Sequence, residues 1–138
     1  MDAQEVRKLD AYLKRLFGNA RIRVVPQPSK GEAAEVFIGE DDLGELTTDD
    51  EDGDLSYNFR MEIDLGPQTD MQPVAQLNAY LRRKFDNEKI RVVPRAKKTD
   101  SLEAYIGEEF IGVLFIENEK GRRSYILELP ILDVDLVD

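Results

Sequence analysis

The densest chemistry in the chain is six residues long. Asp49-Asp50-Glu51-Asp52-Gly53-Asp54 sets five carboxylates around one glycine, and hard cations such as calcium favour several carboxylate oxygens. The EF-hand spacing does not fit this run. With Gly53 as the sixth loop residue, Thr48 takes the first position and Phe59 the twelfth, where a bidentate glutamate belongs. The run is therefore expected to be a solvated hairpin turn without a metal. Its block of like charge suits the recruitment of a basic partner.

Cationic side chains cluster elsewhere. Lys14-Arg15 and Arg82-Arg83-Lys84 fall near the ends of two expected helices, where cations complement the helix dipole. Arg95, Lys97 and Lys98 add a basic loop. Arg82, Arg83, Lys84, Arg95, Lys97 and Lys98 together form the candidate basic patch for nucleic acid. The net charge of −10 opposes that use, because an acidic protein repels phosphate at long range. The charge is unevenly shared. Residues 1–68 hold 8 basic and 16 acidic side chains, whereas residues 69–138 hold 11 and 13. Arg23 and Arg91 each precede Val-Val-Pro, and the expectation is a cross-strand ion pair with Glu35 and Glu103.

The chain has neither cysteine nor histidine. This removes disulfides, thiolate nucleophiles and the usual general base. Carboxylates abound, but no spacing singles out an acid-base pair. Neither glycine-rich phosphate-loop pattern occurs. The expectation is a protein that is not an enzyme and has no cofactor. No apolar run reaches the ~20 residues of a membrane helix, and the acidic, polar start is unlike a secretory signal. A cytoplasmic location is expected.

The elements that must position these residues come in pairs. Residues 4–66 align with 72–134 at an offset of 68 without a gap, and 26 of the 63 pairs are identical. That excess over chance identifies a tandem duplication. Residues 1–66 form the first repeat, 67–71 a linker and 72–138 the second. Each repeat opens on a helix, with Val6, Leu9, Leu13, Leu16 and Phe17 or Val74, Leu77, Leu81 and Phe85 on one stripe. Gly18-Asn19 and Asp86-Asn87 read as stops. Four strands follow: Ile22–Pro26 and Ile90–Pro94, Ala34–Ile38 and Leu102–Ile106, Leu43–Thr48 and Ile111–Ile116, then a last strand. Polar loops are expected at Gln27–Ala33 and Arg95–Ser101. In the last strand Leu55, Tyr57, Phe59, Met61 and Ile63 alternate with polar residues, the period-two pattern of a half-buried strand. The expected fold is α+β, two α-β-β-β-β repeats. In each, a helix covers an antiparallel meander, and the two pair as a pseudo-two-fold dimer.

The repeats differ on the face expected to point away from the helix. Glu45, Thr47 and Asn58 in the first stand where the second has Val113, Phe115 and Ile126, a difference that suits either contact with the first repeat inside the chain or the docking of another chain. Leu43 and Leu46, three apart, hint at a bulge in the third strand.

The chain resembles a family of small bacterial proteins of alphaproteobacteria, domain of unknown function 3126. The resemblance rests on the Leu-x-x-Tyr-Leu helix within Asp2–Phe17, on Ile22–Pro26, on Tyr105–Leu114, on Asp50–Phe59 and on the tail Ile131–Leu136. It implies a single copy of this unit in relatives, and no activity or catalytic residue. The functional expectation is a protein-interaction or regulatory module. Its surface would be Val113, Phe115 and Ile126, with Asp50 and Asp52 steering a protein partner. The alternatives are a nucleic-acid-associated regulator and a small-ligand site between the repeats.

Overall fold

The computed structural model describes every residue except 28–32, 50–52, 54, 68–71, 120–121 and 137–138. Helix α1 (Ala3–Phe17) precedes strands β1 (Ile22–Pro26), β2 (Ala33–Ile38), β3 (Asp41–Asp49) and β4 (Ser56–Pro67). Helix α2 (Pro73–Phe85) precedes β5 (Ile90–Arg95), β6 (Lys98–Ile106), β7 (Glu109–Glu119) and β8 (Arg122–Leu132). The fold is α+β, two helix-then-strands repeats, and the strands form one antiparallel sheet ordered β1-β2-β3-β4-β8-β7-β6-β5.

The two helices begin and end by different means. Asp2 accepts the Glu5 N–H at 2.8 Å, and the Glu5 carboxylate accepts the Asp2 N–H at 3.0 Å. This capping box satisfies two of the donors that a helix start leaves open. The second repeat has Pro73 in place of Glu5 and starts on proline's fixed φ instead. Gly18 ends α1 in the left-handed region; Asp86 does the same for α2 at φ 51°, a conformation that costs a non-glycine residue about 1 kcal/mol or more. Leu9, Leu13 and Phe17 are buried from α1, and Leu77, Leu81 and Phe85 from α2.

The expected bulge is present in both repeats. The register slips between Val36 and Phe37 against β3, and at the matching place between Ala104 and Tyr105 against β7. Two expectations from the sequence do not hold. Arg95–Ser101 is not a loop: β6 begins at Lys98, and Ala96-Lys97 turns the chain between the paired residues Arg95 and Lys98. The matching loop of the first repeat lies largely outside the described residues. Arg23 and Arg91 stand across from Phe37 and Tyr105, not from Glu35 and Glu103. Each guanidinium lies over that ring, at 4.9 and 4.8 Å, and donates to the carbonyl of Gly39 or Gly107 in the following turn. The β1–β2 and β5–β6 registers, which pair Ile22 with Ile38 and Ile90 with Ile106, put the aromatic residue opposite the arginine.

The chain forms two compact units whose boundaries differ from the repeats. Met1–Arg60 with Pro130–Asp138 make one, and Met61–Leu129 the other. Each unit thus includes the end of the last strand of the other repeat. In the first unit the Asp133 N–H donates to the Leu55 carbonyl at 3.2 Å, and Ile131 and Leu136 are buried.

β5 stands at one end of the sheet, and helix side chains occupy its outward backbone groups. Asn78 accepts the Val92 N–H at 2.8 Å and donates to the Val92 carbonyl at 3.4 Å; Arg82 donates to the Ile90 carbonyl at 2.7 Å. The Ile90 N–H is taken by Asn87, and Pro94 has no N–H to offer. This closes an edge that would otherwise template strand addition. In the first repeat Asp10 replaces Asn78. It accepts the Val24 N–H at 3.0 Å, but a carboxylate cannot donate to a carbonyl. We expect Asn78→Ala to cost about 1–3 kcal/mol, the penalty for groups left unpaired, as read from the shift in urea midpoint. An unchanged midpoint would show that water serves those groups equally well.

Candidate interaction surface

The face of β6, β7 and β8 opposite the buried core carries the residues singled out from sequence. On β8, Tyr125, Leu127 and Leu129 are buried core, so Ser124, Ile126 and Glu128 point the other way. The register joins Ser101, Phe115 and Ile126 in one row, and Glu103, Val113 and Glu128 in the next. Phe115 is 40% exposed, Val113 is half-buried, and Ile126 is only 7% exposed. The structure thus brings Val113, Phe115 and Ile126 together, with Ile126 forming the floor rather than the rim. Asp50 and Asp52 lie outside the described residues.

Sequence reasoning missed Phe110, which is 48% exposed. Strict alternation counted back from Phe115 puts residue 110 on the core side. The bulge inserts one residue, so Phe110 pairs with Tyr105 and returns to the outer face. Its ring meets that of Tyr105 edge-on, 5.7 Å between centroids at 74°. The signal was available in the Leu43/Leu46 spacing together with Asp42, the residue that the first repeat has at this position. Phe110, Val113 and Phe115 form one apolar strip along β7.

The corresponding face of the first unit is polar. Glu35 stands opposite Glu45, Phe37 opposite Asp42, and Thr47 opposite Asn58. The Asp42 carboxyl is pushed above its usual pKa, first by burial and then by its hydrogen bond to Glu35 and that group's charge. The same backbone thus folds with either a polar or an apolar outer face, so folding alone does not require the strip.

The described side chains of the basic patch do not share a face. Arg82 is engaged with Ile90, and Arg83 lies 5.8 Å over the Tyr80 ring. Lys84 is half-buried at the end of α2. Arg95 donates to the Ser101 hydroxyl at 3.0 Å, on the sheet face away from the core. Lys97 is exposed in the β5–β6 turn, and the Lys98 side chain lies outside what is described. Among the described residues no group of three or more His, Cys, Asp or Glu side chains is arranged to hold a metal, and no helix is long and apolar enough to cross a membrane.

No curated protein and no solved structure matches the chain. A family model, described as protein of unknown function (DUF3126), matches residues 5–65 and again residues 73–135. Two matches in tandem, each covering a whole helix-and-strands repeat, place the chain in that family as a duplicated member.

Proposed function

We propose that this is a non-enzymatic protein-interaction module, working through the outer face of the second repeat. The observation that supports the reading is the strip Phe110, Val113 and Phe115. The family fold accommodates Asp42, Glu45 and Thr47 at the same positions, so the apolar residues answer to something other than folding. Large exposed aromatics are enriched where proteins bind one another. The lack of cysteine and histidine argues against the common nucleophile-base mechanisms. The dispersal of Arg82, Arg83, Lys84 and Arg95 argues against a phosphate-binding track.

The test is co-purification from the source cells with three baits: wild type, Phe115→Asp, and Thr47→Asp at the matching position of the first repeat. Phe115→Asp should lose the partner, a loss of at least tenfold in yield, with circular dichroism unchanged. Thr47→Asp should keep it. A partner retained by Phe115→Asp, or an unfolded Phe115→Asp chain, would sink the reading.

A further inference from the structure

We infer that the occupant of this face is a basic amphipathic helix. The inference rests on the reading above and names the chemistry of its partner. The register surrounds the apolar strip with carboxylates. Val113 lies between Glu103 on β6 and Glu128 on β8, its direct cross-strand partners. Glu117, two residues beyond Phe115 on the same face, is exposed and marks one end of the strip. Arg91 and Arg95, the cations of this face on β5, stand two strands away from β7, and Arg122 on β8 pairs with Glu119, beyond the end of the strip. Arg91 is engaged by the Gly107 carbonyl and the Tyr105 ring, and Arg95 by Ser101. An apolar strip rimmed by acid selects apolar anchors flanked by lysine or arginine. A second copy of this chain is the wrong partner, since it would bring a net charge of −10 and the same carboxylates.

The secondary structure of the partner follows from the closed edge. An extended segment gains affinity chiefly by adding to an open strand. β5 offers none, because Asn78, Arg82, Asn87 and Pro94 account for its outward groups from the Ile90 N–H to the Pro94 nitrogen. A segment lying flat on the sheet must satisfy its own backbone, and a helix does so. Phe110 and Phe115 are separated by four strand steps after the bulge residue is discounted, roughly 13 Å. On a helix that distance spans about eight or nine residues. Apolar side chains at i, i+4 and i+8 would therefore meet Phe110, Val113 and Phe115 in turn.

A display library of random 18-residue peptides, selected on the immobilised full chain, tests this directly. Enriched peptides are then measured by fluorescence anisotropy against wild type, Phe115→Thr and Glu103→Lys. Phe115→Thr introduces the residue that the first repeat tolerates at this position, so its fold should hold, and circular dichroism checks that. The expected result is enrichment of net-positive sequences with apolar residues three to four apart. Their affinity should fall at least tenfold on Phe115→Thr, on Glu103→Lys and at 0.5 M salt. Enriched peptides that are neutral, acidic or of alternating pattern, yet still depend on Phe115, would overturn the inference and leave the docking face standing. Enriched peptides indifferent to Phe115→Thr, or no enrichment, would overturn both.

Discussion

A chain ending at Leu129 should lose the first compact unit while keeping far-UV signal from the second. Residues 130–138 belong to the unit formed by Met1–Arg60, although in sequence they close the second repeat. Ile131 and Leu136 are buried, at 1% and 9% exposure. Burying two such side chains stabilises by roughly 3–6 kcal/mol in all. The truncation also removes the Asp133 N–H from the Leu55 carbonyl, which lies two residues from Tyr57. Tyr57 is buried and donates to Glu5 at 2.7 Å, tying β4 to the start of α1. Its hydroxyl pKa is raised well above the usual value, first by burial and then by Glu5, with Asp133 adding to the effect. A loss of this size is a large part of the ~5–15 kcal/mol that holds a domain folded. Ile131→Ala is the graded version and should cost about 2–5 kcal/mol. Both are read from urea unfolding followed by circular dichroism. A truncated chain whose midpoint matches wild type would show that the first unit stands without the tail.

The second large effect is expected at Gly112. A Cβ built there would lie 2.4 Å from the Glu128 carbonyl oxygen and 3.2 Å from the Leu129 Cα. Both are backbone atoms of the paired strand, so relief requires the strands to part. Overpacking of this kind costs about 1–3 kcal/mol, occasionally more, and Gly112→Ala should sit at the upper end. Gly107→Ala is the matched control. Gly107 has φ +61° but open space around its Cβ position, so only backbone strain applies, about 1 kcal/mol. Gly112→Ala should therefore be the more damaging of the two in denaturant titrations. The reverse order would mean that the β7–β8 approach is looser than described. The effect bears on function because Gly112 sits in the bulge that turns Phe110 outward.

Much of this architecture is legible in the sequence. The duplication, both helices with their stops, and the succession of strands within each repeat follow from an ungapped repeat and two clean periodicities. Local pattern decided these features, so they could be read locally. The exchange of strand ends left no such mark. Leu55 to Ile63 and Tyr125 to Ile131 keep an apolar residue at every second position, and that period says which face is buried, not which unit buries it. The arginine partners failed for a related reason. Pairing Arg23 with Glu35 needs a register two residues away from the observed one. The observed register pairs Ile22 with Ile38, and residue chemistry alone does not reveal it. Of the proposed interaction face, Val113, Phe115 and Ile126 stand out in the sequence because the repeats disagree there. Phe110 does not, because strict alternation puts it on the core side and only the bulge returns it to the outer face.

The measurement that bears most directly on the central claim is site-specific photo-crosslinking in living cells. A crosslinking amino acid at Val113 reports on the outer face of the second repeat, and one at Glu45 on the matching position of the first. A discrete adduct to another protein from position 113, with none from position 45, is the result expected of a docking face confined to the second repeat. Adducts from both positions, or from position 45 alone, would contradict it.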